Sequence, residues 1–221
     1  MSQRPFKTDP AVLARIRPMA ALDVPDVARL HHAAMGNSTW GLLGLRFLET
    51  LYVSLIDDER FLAFVYEEDS RVCGFIAGSQ DTRTMLKATF RRTWPLLAIS
   101  AFPQALSPNI LGRLIETTRY TEVSGSQNIP ESLFCSFEPD LRGKRISGHI
   151  NKVLFDELLA RGHSRVKVTT EVDNEGANRQ LKSWGFEEKG AFTFYGKPMF
   201  LYILDLEASD RVDPVSRHPA V

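Results

Sequence analysis

The sequence carries no surplus of either charge. Lys plus Arg and Asp plus Glu each number 27 in 221 residues, so the formal net charge is zero. Nucleic-acid binding proteins normally show a basic excess, which argues against that class and requires any anion site to be a local concentration of charge. Cysteine is scarce too. Cys73 and Cys135 sit far apart in apolar, strand-like runs and are expected to be buried free thiols. Neither has a neighbouring histidine to activate it, and no CxxC or clustered Cys/His spacing suits zinc, so no metal is expected. The five histidines (His31, His32, His149, His163, His218) offer no pairing with Ser or Asp, and His149 reads as structural. Long hydrophobic runs are missing as well. The longest, Trp94 to Phe102, is too short to span a bilayer and contains Pro95, and the first seven residues lack an apolar signal region. A cytoplasmic protein with no membrane span is the expectation.

What is present is an ordinary globular composition, 43% hydrophobic and 24% charged, long enough for a sizeable core. Residues 1–10 read as an N-terminal arm, 11–206 as one domain, and 207–221, polar and proline-bearing, as a flexible tail. A first strand is expected around Ala14–Arg17. Asp23 then caps a helix with Pro25 in its first turn. A second helix, Leu43 to Leu55, carries Leu43, Phe47, Leu51 and Leu55 on one stripe. Phe61–Tyr66 and Arg71–Ser79 read as a hairpin with an acidic turn. Gly74 and Gly78 in its second strand signal a bulge or a close neighbour. Thr82–Arg92, Pro95–Ala101 and Ile110–Tyr120 read as three short helices, a helical insertion over 82–130 that suits a substrate lid, a partner surface or a membrane-touching patch.

The chain is organised around Glu131 to Gly148. Ser132–Phe137 suits a buried strand, Pro139 stops it, and Leu141-Arg-Gly-Lys-Arg145 makes a basic, glycine-bearing turn. Ile150, Val153, Leu154, Leu158 and Leu159 then recur at helical spacing. A strand that turns into a helix start points backbone N–H groups outward together, and the helix dipole adds about half a positive charge there. With Arg142, Lys144 and Arg145 beside it, this reads as a phosphate or pyrophosphate cradle; a merely solvated basic turn is the plainer alternative. Arg165–Val172 is the next strand, Glu175–Trp184 a helix ending at Gly185, and Ala191–Tyr195 with Met199–Leu206 a closing hairpin.

In this order of elements the chain resembles the GCN5-related N-acetyltransferase (GNAT) superfamily over roughly residues 16–206. The family's acyl-CoA signature, Arg/Gln-x-x-Gly-x-Gly/Ala, is filled by Arg142-Gly143-Lys144-Arg145-Ile146-Ser147. A second motif, Asn-x-x-Ala with a helix closing on Gly-Phe, appears as Asn174-Glu-Gly-Ala177 through Gly185-Phe186. Arg145 stands where the family usually has glycine, and Leu181 where a tyrosine often protonates the leaving thiolate. The resemblance implies an α/β (α+β) fold: a mixed, mostly antiparallel sheet flanked by helices, with the helical insertion between strands 3 and 4. It implies acetyl-CoA as co-substrate, an amine acceptor and direct acetyl transfer, and it permits a homodimer. The implied cofactor-binding residues are Cys135, Ser136, Phe137, Arg142, Gly143, Lys144, Arg145, Ile146, Ser147, Asn174 and Ala177. Glu131 falls where histone-type members place a catalytic glutamate and is the candidate base. Glu138 and Glu171 compete with it, and a solvated strand-start carboxylate is the plain reading. Tyr195 is the candidate acid, with Ser183, Tyr202 or water as substitutes for the absent tyrosine. A catalytically inactive acyl-CoA-binding protein of the same fold, or a docking module built on 82–130, are the alternative functions.

Overall fold

Two hydrophobic clusters lie on opposite faces of one seven-stranded sheet, and the alternation of side chains along each strand decides which residue joins which. The computed structural model describes residues 6–102, 104, 107–108, 129–194 and 196–213. Its strands are β1 (Ile16–Pro18), β2 (Phe61–Glu68), β3 (Arg71–Ser79), β4 (Glu131–Phe137), β5 (Arg165–Glu171), β6 (Glu187–Phe194) and β7 (Lys197–Asp205). They run in the order β1-β2-β3-β4-β5-β7-β6. Every pairing is antiparallel except β4 with β5. The helices are α1 (Pro10–Leu13), α2 (Val24–Met35), α3 (Thr39–Leu42), α4 (Leu45–Ile56), α5 (Thr82–Ala101), α6 (Ile146–Ala160) and α7 (Glu175–Trp184). The mixed, mostly antiparallel sheet flanked by helices matches the expected fold class.

Val65, Phe75 and Ala77 face α2, α4 and α5, where Val27, Leu48, Leu51, Tyr52 and Met85 meet them. Leu62, Phe64 and Ile76 face α6 and α7, where Ile150, Leu154, Phe155 and Trp184 pack. Burying each such side chain contributes about 1.5–3 kcal/mol, so both faces are needed to hold the sheet flat between its helices.

Several boundaries differ from the expectations. The first strand is Ile16–Pro18, not Ala14–Arg17, because Asp9 accepts the Ala11 N–H and starts α1 just upstream. Asp23 stands at the N-cap of α2 as expected, but its carboxylate makes no cap bond to the helix; it is taken by Arg17 at 2.7 and 2.9 Å and by the Ala20 N–H at 2.8 Å. Residues 82–101 form one helix that runs through Pro95 rather than two. The expected helix Ile110–Tyr120 lies outside the described residues.

The described parts of the N-terminal arm and of the C-terminal tail, residues 6–10 and 207–213, make contacts with α6 and α7. Phe6 lies 5.0 Å from the His149 ring and 5.5 Å from Trp184, and a Cβ on Gly148 would come within 2.7 Å of it. The Asp9 N–H donates to His149 Nε2 at 2.8 Å, which places the imidazole proton on Nδ1, donating to the Arg145 carbonyl at 2.9 Å. At the other end the Asp213 N–H donates to Asp156, itself paired with Lys152 at 3.0 Å, and Arg211 stacks over Trp184.

Candidate active site

The site begins with a missing ladder. β4 and β5 are parallel neighbours, yet their register consists of a single pair, Glu131 with Lys167. The Lys167 N–H donates to the Pro130 carbonyl at 2.8 Å, and beyond that point the strands separate. At this apex Glu131 is 1% exposed and Lys167 3%, their charged groups 3.6 Å apart, and Thr82 at the start of α5 donates its hydroxyl to Glu131 at 2.9 Å. The solvated strand-start reading of Glu131 is therefore wrong. The carboxylate is buried, paired and part of the lining of a cleft.

The opening explains an exposure that strand patterning does not suggest. Cys135 was expected to be buried, but at its level β4 pairs only with β3, opposite Ile76, and not with β5, and the residue is exposed. Asn151 of α6 comes within 4.0 Å of its sulfur while donating to the Ser147 carbonyl at 2.7 Å. Asn151 escaped the sequence reading; its four-residue spacing from Ser147 on the helix was the only signal. Ser136 faces the other way, donating to the Leu30 carbonyl, and the Phe137 ring covers Gly74, where a Cβ would meet it at 2.2 Å. The Ser136 side chain therefore faces α2 and not the opening.

On the α6 side, Leu141 and Ile146 are buried anchors, and between them Arg142, Gly143, Lys144 and Arg145 are exposed. Gly143 has φ +81° and Arg145 φ +61°, so the turn passes twice through the left-handed region. That explains the family's glycine at position 145, and here an arginine accepts the conformation, its guanidinium 5.5 Å from the centre of the Phe6 ring. In the first turn of α6 the Gly148 N–H goes to the Arg145 carbonyl at 3.1 Å, while the Ile146 and Ser147 N–H groups precede any acceptor of the helical ladder; with three cations on the same exposed turn the donor set fits a phosphate or pyrophosphate. Asn174 caps α7, accepting the Ala177 N–H at 3.2 Å, and remains exposed.

On the opposite face the cleft holds about 220 Å³ between α3, α4, α5 and the ends of β4, β5 and β7. β4 is bulged there: Ala77 pairs with Phe134 and Gly78 with Ser132, which leaves Leu133 as the extra residue. Leu133 and Phe134 thereby both reach the cleft. Glu171 lines it as well, with Lys197 2.6 Å away. Glu138 is held by Arg29 at 2.7 Å and Arg71 at 2.8 Å and does not line this cleft. Beneath Phe134 lies His31, bonded to the Tyr52 hydroxyl at 2.7 Å; burial pushes its pKa down from 6.5 to about 4. Leu181 is buried against the sheet, Ser183 donates to the Gln180 carbonyl, and Tyr202 is fully buried on the α6–α7 side. Tyr195 lies outside the described residues. Among those residues no cluster of His, Cys, Asp or Glu suits a metal, and no helix is long and apolar enough to cross a membrane.

Neither a family sequence model nor a curated protein sequence matches the chain. Solved structures do. A structure named SsHAT superimposes with a TM-score of 0.67 at 17% identity, over 86% of this chain and 96% of its own. An N-acetyltransferase from Staphylococcus aureus Mu50 gives 0.62 at 19% identity, over 86% and 99%. The fold is the GNAT fold. The ribosomal-protein-S18-alanine N-acetyltransferase of Escherichia coli shares it more loosely, with a TM-score of 0.53 at 14% identity over 92% and 97%. Within this fold β4 and β5 part after one pair, a left-handed turn precedes α6, and β4 carries a bulge.

Proposed function

We propose that the protein is an acetyl-CoA-dependent N-acetyltransferase that passes the acetyl group to a primary amine by direct attack. One observation carries this reading: β4 and β5 part after a single pair, with an exposed cationic turn before α6 on one face of the sheet and a cleft with a buried carboxylate on the other. Acetyl-CoA would supply the activated acetyl group. Arg142, Lys144 and the first-turn N–H groups of α6 hold its phosphates, with Gly143 and Arg145 shaping the turn. Cys135 and Asn151 line the gap, and Asn174 and Ala177 flank it at the start of α7. The bulge at Leu133 frees backbone N–H capacity in β4 to polarise the acyl oxygen.

Glu131 takes the proton that the amine must lose to attack. Lys167 and Thr82 hold the carboxylate in place. Leu181 cannot protonate the leaving thiolate, and Tyr195 is the residue assigned to that step on its sequence position. Much of the acceleration then comes from holding amine and acyl carbon together.

Calorimetric titration with acetyl-CoA and release of free CoA in the presence of an amine test the two halves separately. Gly143→Val forces a β-branched residue to φ +81° and is expected to weaken acetyl-CoA binding at least about tenfold. Unchanged affinity removes the cradle. Glu131→Gln is expected to keep acetyl-CoA affinity and lower turnover about 100-fold or more, most strongly at low pH. Wild-type rates across pH exclude Glu131 as the base. Acetyl-CoA binding without turnover on any amine supports the inactive binding protein instead.

A further inference from the structure

We infer that the acceptor is a primary amine joined by a short chain to an apolar ring, an inference that rests on the N-acetyl transfer reading above. The cleft walls are ring and thioether surfaces. Trp40 is held flat by stacking on Phe47 (5.7 Å, 9°) and Phe90 (5.8 Å, 18°), and it shares the cleft with Phe194 and with Met35, Met85 and Met199. Unbranched methionines adapt to a ring and make favourable sulfur–aromatic contacts. The charge in the cleft is balanced within the protein: Glu131 is paired with Lys167 and Glu171 with Lys197. A polyamine, an aminoglycoside or a basic peptide would bring ammonium groups for which the described residues of these walls provide no surplus carboxylate, and each would lose water against apolar surface. A single amine avoids that cost. It reaches Glu131 and gives up one proton there; the N–C bond forms as the C–S bond of the thioester breaks, and the second proton lost by the nitrogen goes to the departing thiolate, so that CoA leaves as its thiol. About 220 Å³ suits one ring system with a short arm.

The test follows CoA release from acetyl-CoA by the full chain with 2-phenylethylamine, tryptamine, spermidine, kanamycin and a lysine-rich peptide. Acetyl-CoA affinity is measured in parallel by calorimetry. The expected result is a kcat/KM for the two ring amines at least about 100-fold above the other three. Leu86→Glu, which places an extra carboxylate in the cleft, is expected to lower ring-amine kcat/KM about tenfold, keep acetyl-CoA affinity and narrow the gap to spermidine. Acetyl-CoA binding with equal or faster turnover of spermidine, kanamycin or the peptide overturns the acceptor inference and leaves N-acetyl transfer standing. Binding without turnover of the ring amines, or an unaltered preference in Leu86→Glu, overturns it as well. Absence of both binding and turnover overturns the transferase reading and the acceptor with it.

Discussion

His31 gives the protein a loss of stability in mild acid that one substitution should remove. The ring is fully buried between Phe75 and Phe134 and bonded to Tyr52, whose own ionisation burial pushes far up. Two neutral groups therefore share that hydrogen bond at neutral pH. Burial penalises the imidazolium and moves its pKa from 6.5 to about 4. Between those values the unfolded chain binds a proton that the folded protein refuses. The contribution is fully present above pH 6.5, drains as the pH falls, and is exhausted near pH 4. The linkage slope is about 1.4 kcal/mol per pH unit, so moving from pH 7.5 to 4.5 costs about 2.5 kcal/mol from this residue alone. His31→Gln keeps an acceptor for the Tyr52 hydroxyl and abolishes the titration. Urea unfolding at half-unit intervals of pH, for wild type and variant, isolates the difference between the two curves. His163, also depressed by burial, titrates in both proteins and cancels. The two proteins should lose stability at visibly different rates between pH 6.5 and 4. Parallel curves across that window would refute the reasoning, since a buried His31 with an ordinary pKa contributes no such slope.

Two further substitutions probe the frame of the site. At Gly78 a Cβ would stand 2.9 Å from the Glu131 carbonyl oxygen and 3.1 Å from Leu154, so Gly78→Ala should destabilise by about 1–3 kcal/mol in chemical denaturation and disturb the β4 bulge; a neutral effect would mean that β3 and β4 part more easily than their register indicates. Phe6→Ala removes the ring that packs on Gly148, His149 and Trp184, and should lower stability by about 2–4 kcal/mol in the same assay; no change would show the N-terminal segment to be energetically detached.

How far the sequence spoke depended on how local each feature is. The turn at Leu141–Arg145 and the cap at Asn174 were legible because glycine, cation and helix-start chemistry are written within a few residues. Glu131 was found by position, yet its burial was not. Its partner Lys167 comes from the next strand, and no local pattern announces that these strands share only one pair. The same missing ladder made Cys135 look buried, since an apolar run is normally read as a strand with neighbours on both sides. Pro95 was read as a break, but it lies on an exposed side of α5, where solvent can take the carbonyl that its missing N–H leaves free. The C-terminal residues look unstructured by composition, and only Trp184 and Asp156, supplied by distant helices, show where Arg211 and Asp213 belong.

The seven strands behave mechanically as two sheets. β2 to β4 and β5 to β7 are each joined by long antiparallel ladders, whereas between β4 and β5 the register has one pair, braced by the Glu131–Lys167 ion pair and by the helices that bridge the seam. A pull or a thermal fluctuation that would have to unzip a full ladder elsewhere meets little backbone resistance here. In the proposed reaction Glu131 loses its charge each time it takes a proton, so the attraction across the seam slackens once per turnover.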